Sequence, residues 1–278
     1  MKELYDDVCQ KMSKLTTNSY STSFSLGMRF LGPTVRQPIY AIYGFVRFAD
    51  EIVDSFHNYN KQYLLDKFKS DTYEAIDHGI SLNPILNSFQ HAVREFNIDR
   101  ELIDTFLESM EMDLHKTNYN QEGYEKYILG SAEVVGLMCL KVFVNNDKEL
   151  YKTLEYPAMR LGSAFQKINF LRDLKADFDG MGRTYFPGVN LENFNETTKK
   201  EIEVDILKDF EEGYAGILQL PKEARFGVYM AYVYFFRLFK KIERTPATLI
   251  MKQRIRIPNQ QKYALFVGSL VRHQFNLL

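Results

Sequence analysis

Tyr43-Gly-Phe-Val-Arg-Phe-Ala-Asp50-Glu-Ile-Val-Asp54-Ser-Phe56 is a mostly apolar run that carries two acids one helical turn apart. At about 100° per residue, Tyr43, Arg47, Asp50 and Asp54 fall within roughly 60° of one another, so the run makes sense as a helix with one polar stripe. Acids on such a helix, if buried, need a partner or a metal. Working outward, apolar residues keep helical spacing, as in Ile39, Ile42, Tyr43 and Val46 and again in Ile103, Phe106, Leu107 and Met110. Strand-like alternation is missing from the pattern, and an all-α fold is expected.

Turn signals fall at Gly32-Pro33, Asp77-His-Gly79, Arg94 to Arg100, Asn118 to Gly123, Asn145-Asn-Asp147, Gly180 to Gly188, Pro221 and Pro258. They divide the 278 residues into about nine or ten helices. No repeat and no proline- or serine-rich linker separates two halves, so one domain spanning 1–278 is expected. The chain is 45% hydrophobic and 26% charged, with 15 Gly and 8 Pro, which suits a compact helical protein and excludes a disordered one. Its 35 basic and 36 acidic residues leave a net charge of −1, which argues against nucleic-acid binding.

Cys9 and Cys139 are too few for a disulfide framework or a four-cysteine metal site, and a reducing cytoplasm is the natural setting. The opening residues place acids where a secretory leader wants basic ones. The most apolar stretch, read as Phe226 to Phe236, is short of the ~20 residues of a membrane span.

Acid pairs four apart are common, and chance supplies roughly five in a chain of this composition. A second segment changes the weight of the first. In Gln166-Lys-Ile-Asn-Phe-Leu-Arg-Asp-Leu-Lys-Ala-Asp177, the residues Gln166, Asn169, Asp173 and Asp177 form one polar stripe beside the apolar face of Ile168, Leu171, Leu174 and Phe178. Carboxylates about 6 Å apart along a helix suit hard divalent ions that bind through one or two carboxylates plus substrate phosphates. Taken alone, each pair also reads as a solvated face or a salt bridge with Arg47, Arg172 or Lys175. Asp104, Glu108 and Glu111 lack comparable companions and read as surface. The five histidines show no metal-ligand spacing, and no Gly-x-Gly-x-x-Gly run is present.

The paired motifs Asp50-Glu-Ile-Val-Asp54 and Asp173-Leu-Lys-Ala-Asp177 resemble those of the squalene and phytoene synthase family. Tyr20-Ser-Thr-Ser-Phe-Ser25, Gly130-Ser-Ala-Glu-Val-Val-Gly136, Asn169-Phe-Leu-Arg-Asp173 and Gly182-Arg-Thr-Tyr-Phe-Pro187 follow in the family's order and extend the resemblance over most of the chain. The resemblance implies a single-domain isoprenoid-synthase helical bundle with a central cavity. It also implies that Asp50, Asp54, Asn169, Asp173 and Asp177 hold Mg²⁺, with Mn²⁺ as a substitute, against prenyl diphosphates. Tyr20, Ser21, Thr22, Ser23, Tyr43, Arg47, Gln166 and Arg172 would bind or flank the diphosphates, Tyr127 would stand near the reacting carbons, and Arg183 would sit on a closing loop. Glu133 stands where relatives often carry glycine, which would put an acid in the cavity lining, and a tyrosine near the cavity's end falls around Tyr234 or Phe235.

The activity implied is head-to-head joining of two prenyl diphosphates through a cyclopropylcarbinyl diphosphate to a conjugated triene. The tail Thr245 to Pro258 is similar to the phytoene synthase branch, which favours geranylgeranyl diphosphate and needs no NADPH. A dehydrosqualene or squalene synthase acting on farnesyl diphosphate, a prenyl diphosphatase and a binding protein without turnover are the alternatives. A lipid product implies peripheral contact of the cavity mouth with the inner membrane face.

Overall fold

The structure, a computed structural model, describes residues 1–115, 119–181, 185–189 and 193–258, apart from the side chains of residues 22, 23 and 176–181. Among the described residues there are twelve α-helices and one π-helical turn, with no strand. α1 (Lys2–Tyr20) stops at Ser21, whose extended backbone starts α2 (Thr22–Met28) and whose Oγ accepts the Phe24 N–H at 3.1 Å. α3 (Pro33–Ser55) opens on proline, which has no N–H to leave unpaired in a first turn.

Asparagines do much of the remaining punctuation. Asn60, Asn83, Asn120 and Asn195 cap α4 (Lys61–His78), α5 (Pro84–Glu95), α7 (Gln121–Ile128) and α10 (Glu196–Ile217) by accepting backbone N–H groups. Asn145 and Asn146, at φ of 47° and 66°, turn the chain through the left-handed region after α8 (Val134–Val144). α6 (Arg100–His115), α9 (Lys148–Met181), α11 (Lys222–Glu243) and α12 (Ala247–Ile250) complete the set.

The expected breaks before Pro258 recur, but the expected count of nine or ten helices is too low among the described residues. A polar break at Ser21 divides the first helix in two, residues 56–60 separate α4 from α3, and Thr245-Pro246 separates the short α12 from α11. None is marked by glycine next to proline. Conversely, α9 runs for 34 residues straight through Pro157.

Ile39, Ile42, Phe45, Ala49 and Val53 bury one side of α3 against α1, α5 and α8, with the Phe45 and Phe89 rings stacked at 4.0 Å. A second apolar cluster gathers Tyr127, Phe170, Tyr185, Phe210 and Phe239 between α7, α9, α10 and α11. A cavity of about 860 Å³ lies between these layers. The most apolar helical run is not Phe226–Phe236 as expected. It is Gln121–Val144, formed by α7, the π turn (Leu129–Glu133) and α8, long and apolar enough by composition to cross a membrane yet more than half buried inside the bundle.

The π turn lies tightly against α9. A Cβ on Gly162 would come within 2.6 Å of the Ala132 carbonyl oxygen, and one on Gly130 within 2.7 Å of the Thr105 carbonyl oxygen. Gly162→Ala must therefore push two backbones apart, and we expect it to destabilise the fold by about 1–3 kcal/mol. A thermal melt checks this; an unchanged midpoint would show that α9 is not seated on the π turn.

Candidate active site

Two helices bring the polar residues to the cavity. From α3 come Tyr43, Arg47, Asp50 and Asp54, and from α9 come Gln166, Asn169, Arg172 and Asp173; all eight line the same cavity, together with Tyr20, Ser21 and Tyr127. The two stripes expected from helical spacing thus share one chamber. The side chains of Thr22, Ser23 and Asp177, and the whole of Arg183, lie outside the described residues.

Both the solvated-pair reading and the binding reading contribute to the observed geometry. Arg47 donates to Asp50 at 3.0 Å and also to Glu51, while its guanidinium lies 4.5 Å from the centre of the Tyr20 ring. These are ion pairs, but they form inside a chamber. Asp50 shows about a third of its side chain (36%) to the cavity, with protein around it. Burial, and next the Asp54 carboxylate, push its pKa up to about 7; Arg47 pulls the other way, and Asp113 and Glu51 add to the rise. Burial also raises the Tyr43 hydroxyl above its ordinary range.

On α9, Asp173 is gripped from two sides. Arg172 donates through Nε to one carboxylate oxygen at 3.0 Å and through Nη2 to the other; Arg254 donates through Nε at 2.6 Å and through Nη2 at 3.1 Å. Arg254 belongs to an extended strap, Arg254-Ile255-Arg256-Ile257, in which the isoleucines are buried and the arginines exposed, and all four residues line the cavity. The Oδ1 of Asn169 is buried and has no hydrogen-bond partner among the described residues.

That orphaned oxygen bears on whether a divalent cation fits. An unpaired buried carbonyl costs free energy, and the Asp54 carboxylate one turn away raises the pKa of Asp50. A hard cation would offer the Asn169 oxygen a partner, and positive charge beside the α3 pair would offset the repulsion there, so these oxygen donors suit Mg²⁺.

The interior beyond the polar rim is aromatic. Phe165 and Phe235 stack at 4.2 Å, with Phe24 at 5.2 Å from Phe235, and Phe170 stacks on Tyr185 at 3.9 Å. Tyr234 and Phe235 both line the cavity, so the two positions proposed for its end both reach it. Glu133 does not. The π turn directs Ser131 and Ala132 to the cavity, whereas Glu133 is buried and bonded to Arg160, within a network where Arg160, Ser163 and Lys167 all donate to Asp209. The expected acid in this part of the cavity lining is thus absent, because the buried carboxylate is held by Arg160 on the far side of the π turn.

Three contributors escaped the sequence reading. Arg254 and Arg256 could have been found from the alternation of arginine with isoleucine. Asp113 occupies the next place on the apolar stripe Ile103, Phe106, Leu107, Met110, and is buried with them. An acid continuing a buried stripe is its signal.

Residues 17–261 match the model of the squalene/phytoene synthase family. The chain belongs to that family. It is 27% identical to phytoene synthase 1 of Solanum lycopersicum over 87% of this chain and 62% of that one, and 29% identical to the 4,4'-diapophytoene synthase of Staphylococcus haemolyticus over 68% and 66%. The chain therefore spans slightly under two thirds of the length of these two curated relatives. Among solved structures, a dehydrosqualene synthase in complex with ligand superposes with a TM-score of 0.80 at 20% identity, covering 97% of this chain and 98% of that one. Squalene synthase HpnC from Alicyclobacillus acidocaldarius superposes at 0.72 and 22%, covering 86% and 93%. The fold is the all-α isoprenoid-synthase bundle of these enzymes.

The raised pKa of Asp50 has a consequence for stability. An acid whose folded pKa lies above its unfolded value of 3.8 costs stability once it ionises, so the metal-free protein loses stability as pH rises from about 4 to about 7. Asp50→Asn removes that loss. At pH 8 in EDTA the variant should melt above wild type, the difference should vanish below pH 4, and Mg²⁺ should raise the midpoint of wild type alone. A variant that melts below wild type at pH 8 would refute this.

Proposed function

We propose that the protein is a prenyltransferase that condenses two prenyl diphosphates head to head, with two geranylgeranyl diphosphates giving phytoene in carotenoid biosynthesis. One observation carries the reading: carboxylates of α3 and α9 border the same aromatic chamber, with arginines beside each. A diphosphate needs the polar rim, and two long polyprenyl chains need the chamber behind it. The similarity of the Thr245–Pro258 tail to the phytoene synthase branch supports the forty-carbon product. The comparable identity to a diapophytoene synthase supports a thirty-carbon one from farnesyl diphosphate.

Asp50 and Asp54 on α3, with Asn169, Asp173 and Asp177 on α9, would hold Mg²⁺, which when bound draws charge from the diphosphate and makes it a leaving group. Tyr20, Ser21, Thr22, Ser23, Tyr43, Gln166 and Arg183 bind or flank the diphosphates. Arg47 and Arg172 supply charge beside each motif, and Arg254 is placed to exchange its Asp173 partner for a phosphate oxygen. Once the diphosphate departs, the allylic cation must meet a double bond before it meets water. The rings of Phe24, Phe165, Phe170, Tyr185 and Phe235 exclude water and offer π faces that attract a cation without attacking it. Tyr127 stands among them at the inner end of α7.

The hydrocarbon product does not dissolve in water, and we place the cavity mouth against the inner membrane face. Phe56, Tyr59 and Tyr63, all exposed, follow directly on Asp54 and supply the aromatic groups that favour a bilayer surface. Vesicle co-sedimentation should fall in a Tyr59→Ser/Tyr63→Ser double variant; unchanged binding would move the contact elsewhere.

Purified protein given Mg²⁺ and either geranylgeranyl or farnesyl diphosphate, without NADPH, should form a conjugated triene identifiable by mass. Forty carbons assign the phytoene reaction and thirty the diapophytoene one, while prenyl alcohol alone would leave a diphosphatase. Asp50→Ala and Asp173→Ala should each lower triene formation by at least about a hundredfold, and EDTA should abolish it reversibly. Full activity in either variant would remove the metal assignment.

A further inference from the structure

Asp113 is a buried acid that none of the diphosphate chemistry uses. It sits on α6, behind the cavity wall, and its two carboxylate oxygens take different tyrosines: Oδ2 accepts the Tyr127 hydroxyl at 2.7 Å, and Oδ1 faces the Tyr119 hydroxyl at 3.5 Å. Of this group, Tyr127 lines the cavity and Asp113 does not. The Tyr127 ring is itself packed, with centroids at 5.1 Å from Tyr119, 5.4 Å from Tyr185 and 5.9 Å from Phe170. Three rings thus pack against it.

This arrangement settles where the phenol proton points. A phenol has one O–H to donate, and a buried carboxylate is the strongest acceptor it can find. With the proton committed to Asp113, the Tyr127 oxygen shows the cavity only its lone pairs, and the ring shows its π face. Burial and the nearby Asp113 charge hold the hydroxyl well above its ordinary pKa, so Tyr127 stays a neutral phenol.

An uncommitted phenol in the same place would behave differently. It would recruit a water molecule as its acceptor, inside a chamber whose chemistry requires dryness. The carboxylate removes that hazard and, through the hydrogen bond, makes the phenol more electron-rich.

We propose that Asp113 is the positioning residue for Tyr127, holding the phenol proton away from the cavity so that Tyr127 presents only electron-rich surface to the carbocations. The proposal rests on the head-to-head reading above. Asp113 touches no substrate and forms no bond in the reaction. Its effect is on the fate of the cation, and therefore on which product leaves the enzyme.

The test is a double-mutant cycle on the product split, using wild type, Asp113→Asn, Tyr127→Phe and the double variant, each with Mg²⁺ and the prenyl diphosphate that wild type turns over. The readout is the ratio of triene to water-captured alcohols, with KM and the melting midpoint recorded for each protein. Asparagine keeps the size of the side chain and loses its charge. We expect Asp113→Asn to shift the split toward alcohols by about tenfold to a hundredfold, the worth of a hydrogen bond to a charged group. KM should be unchanged, and in the Tyr127→Phe background the substitution should add nothing.

Equal shifts in both backgrounds, or a lowered melting midpoint with an unchanged split, would overturn the proposal. Should Asp113→Asn fail to fold, Tyr127→Phe decides alone, because a wild-type split in that variant would leave Asp113 nothing to position. A wild-type protein that releases diphosphate and forms no hydrocarbon would overturn the head-to-head reading, and this proposal with it.

Discussion

A carboxylate inside a helical bundle must find a cation, and the disposition of positive charge around this cavity follows from that need. Asp50 takes Arg47, and Asp173 takes Arg172 and Arg254. Deeper in the protein, the buried Glu133 and Asp209 share Arg160, and Lys167 joins Asp209 to the exposed Asp205. The two sets differ in a way that matters. In the deeper set Arg160 and Lys167 each bridge two acids, and Asp209 also takes the Ser163 hydroxyl, which ties the π turn, α9 and α10 into one rigid wall. At the cavity, Asp50 remains under the repulsion of Asp54, and Asn169 has an oxygen without a partner. Charge is balanced in the wall, while at the cavity a repulsion and an unpartnered oxygen remain that the proposed divalent ion would relieve.

The apolar part of the chamber obeys a second constraint, the exclusion of nucleophiles. Its lining is aromatic and aliphatic with some small residues, and two polar groups that intrude are occupied. Tyr127 is bonded to Asp113, and Ser131 donates to the Tyr127 carbonyl inside the π turn. Burial pushes the Cys139 thiol up to about 12, so it remains un-ionised. Close helix contacts keep the wall thin without opening it. Gly27 and Gly227 let α2 and α11 approach until a Cβ on either would meet backbone oxygen at 2.9 Å.

Much of this was legible in the chain. Two stripes at helical spacing, each pairing aspartates with arginine, tyrosine or an amide, identified the residues that meet in the cavity. Turn residues placed most helix boundaries, because asparagine, glycine and proline act within a few bonds of where they stand. What the pattern missed had longer reach. The break at Ser21 depends on a hydroxyl finding the Phe24 N–H, and α9 continues through Pro157 although proline gives up a backbone donor there. Glu133 gave no sign in sequence of which way it faced, because the π turn rotates it out of register with the helix before it.

By itself, then, the sequence determined the helical class, the family and the residues that carry charge at the site. Periodicity, capping and local motifs are encoded by neighbours along the chain. Tertiary structure alone decided that Arg254 reaches Asp173 across 81 positions, that Asp113 lies behind Tyr127 and that Glu133 turns away from the cavity to Arg160. Each of these is a contact between distant segments, set by how helices pack around a shared cavity and by the cost of leaving a buried charge unpaired, and no local pattern of residues encodes either.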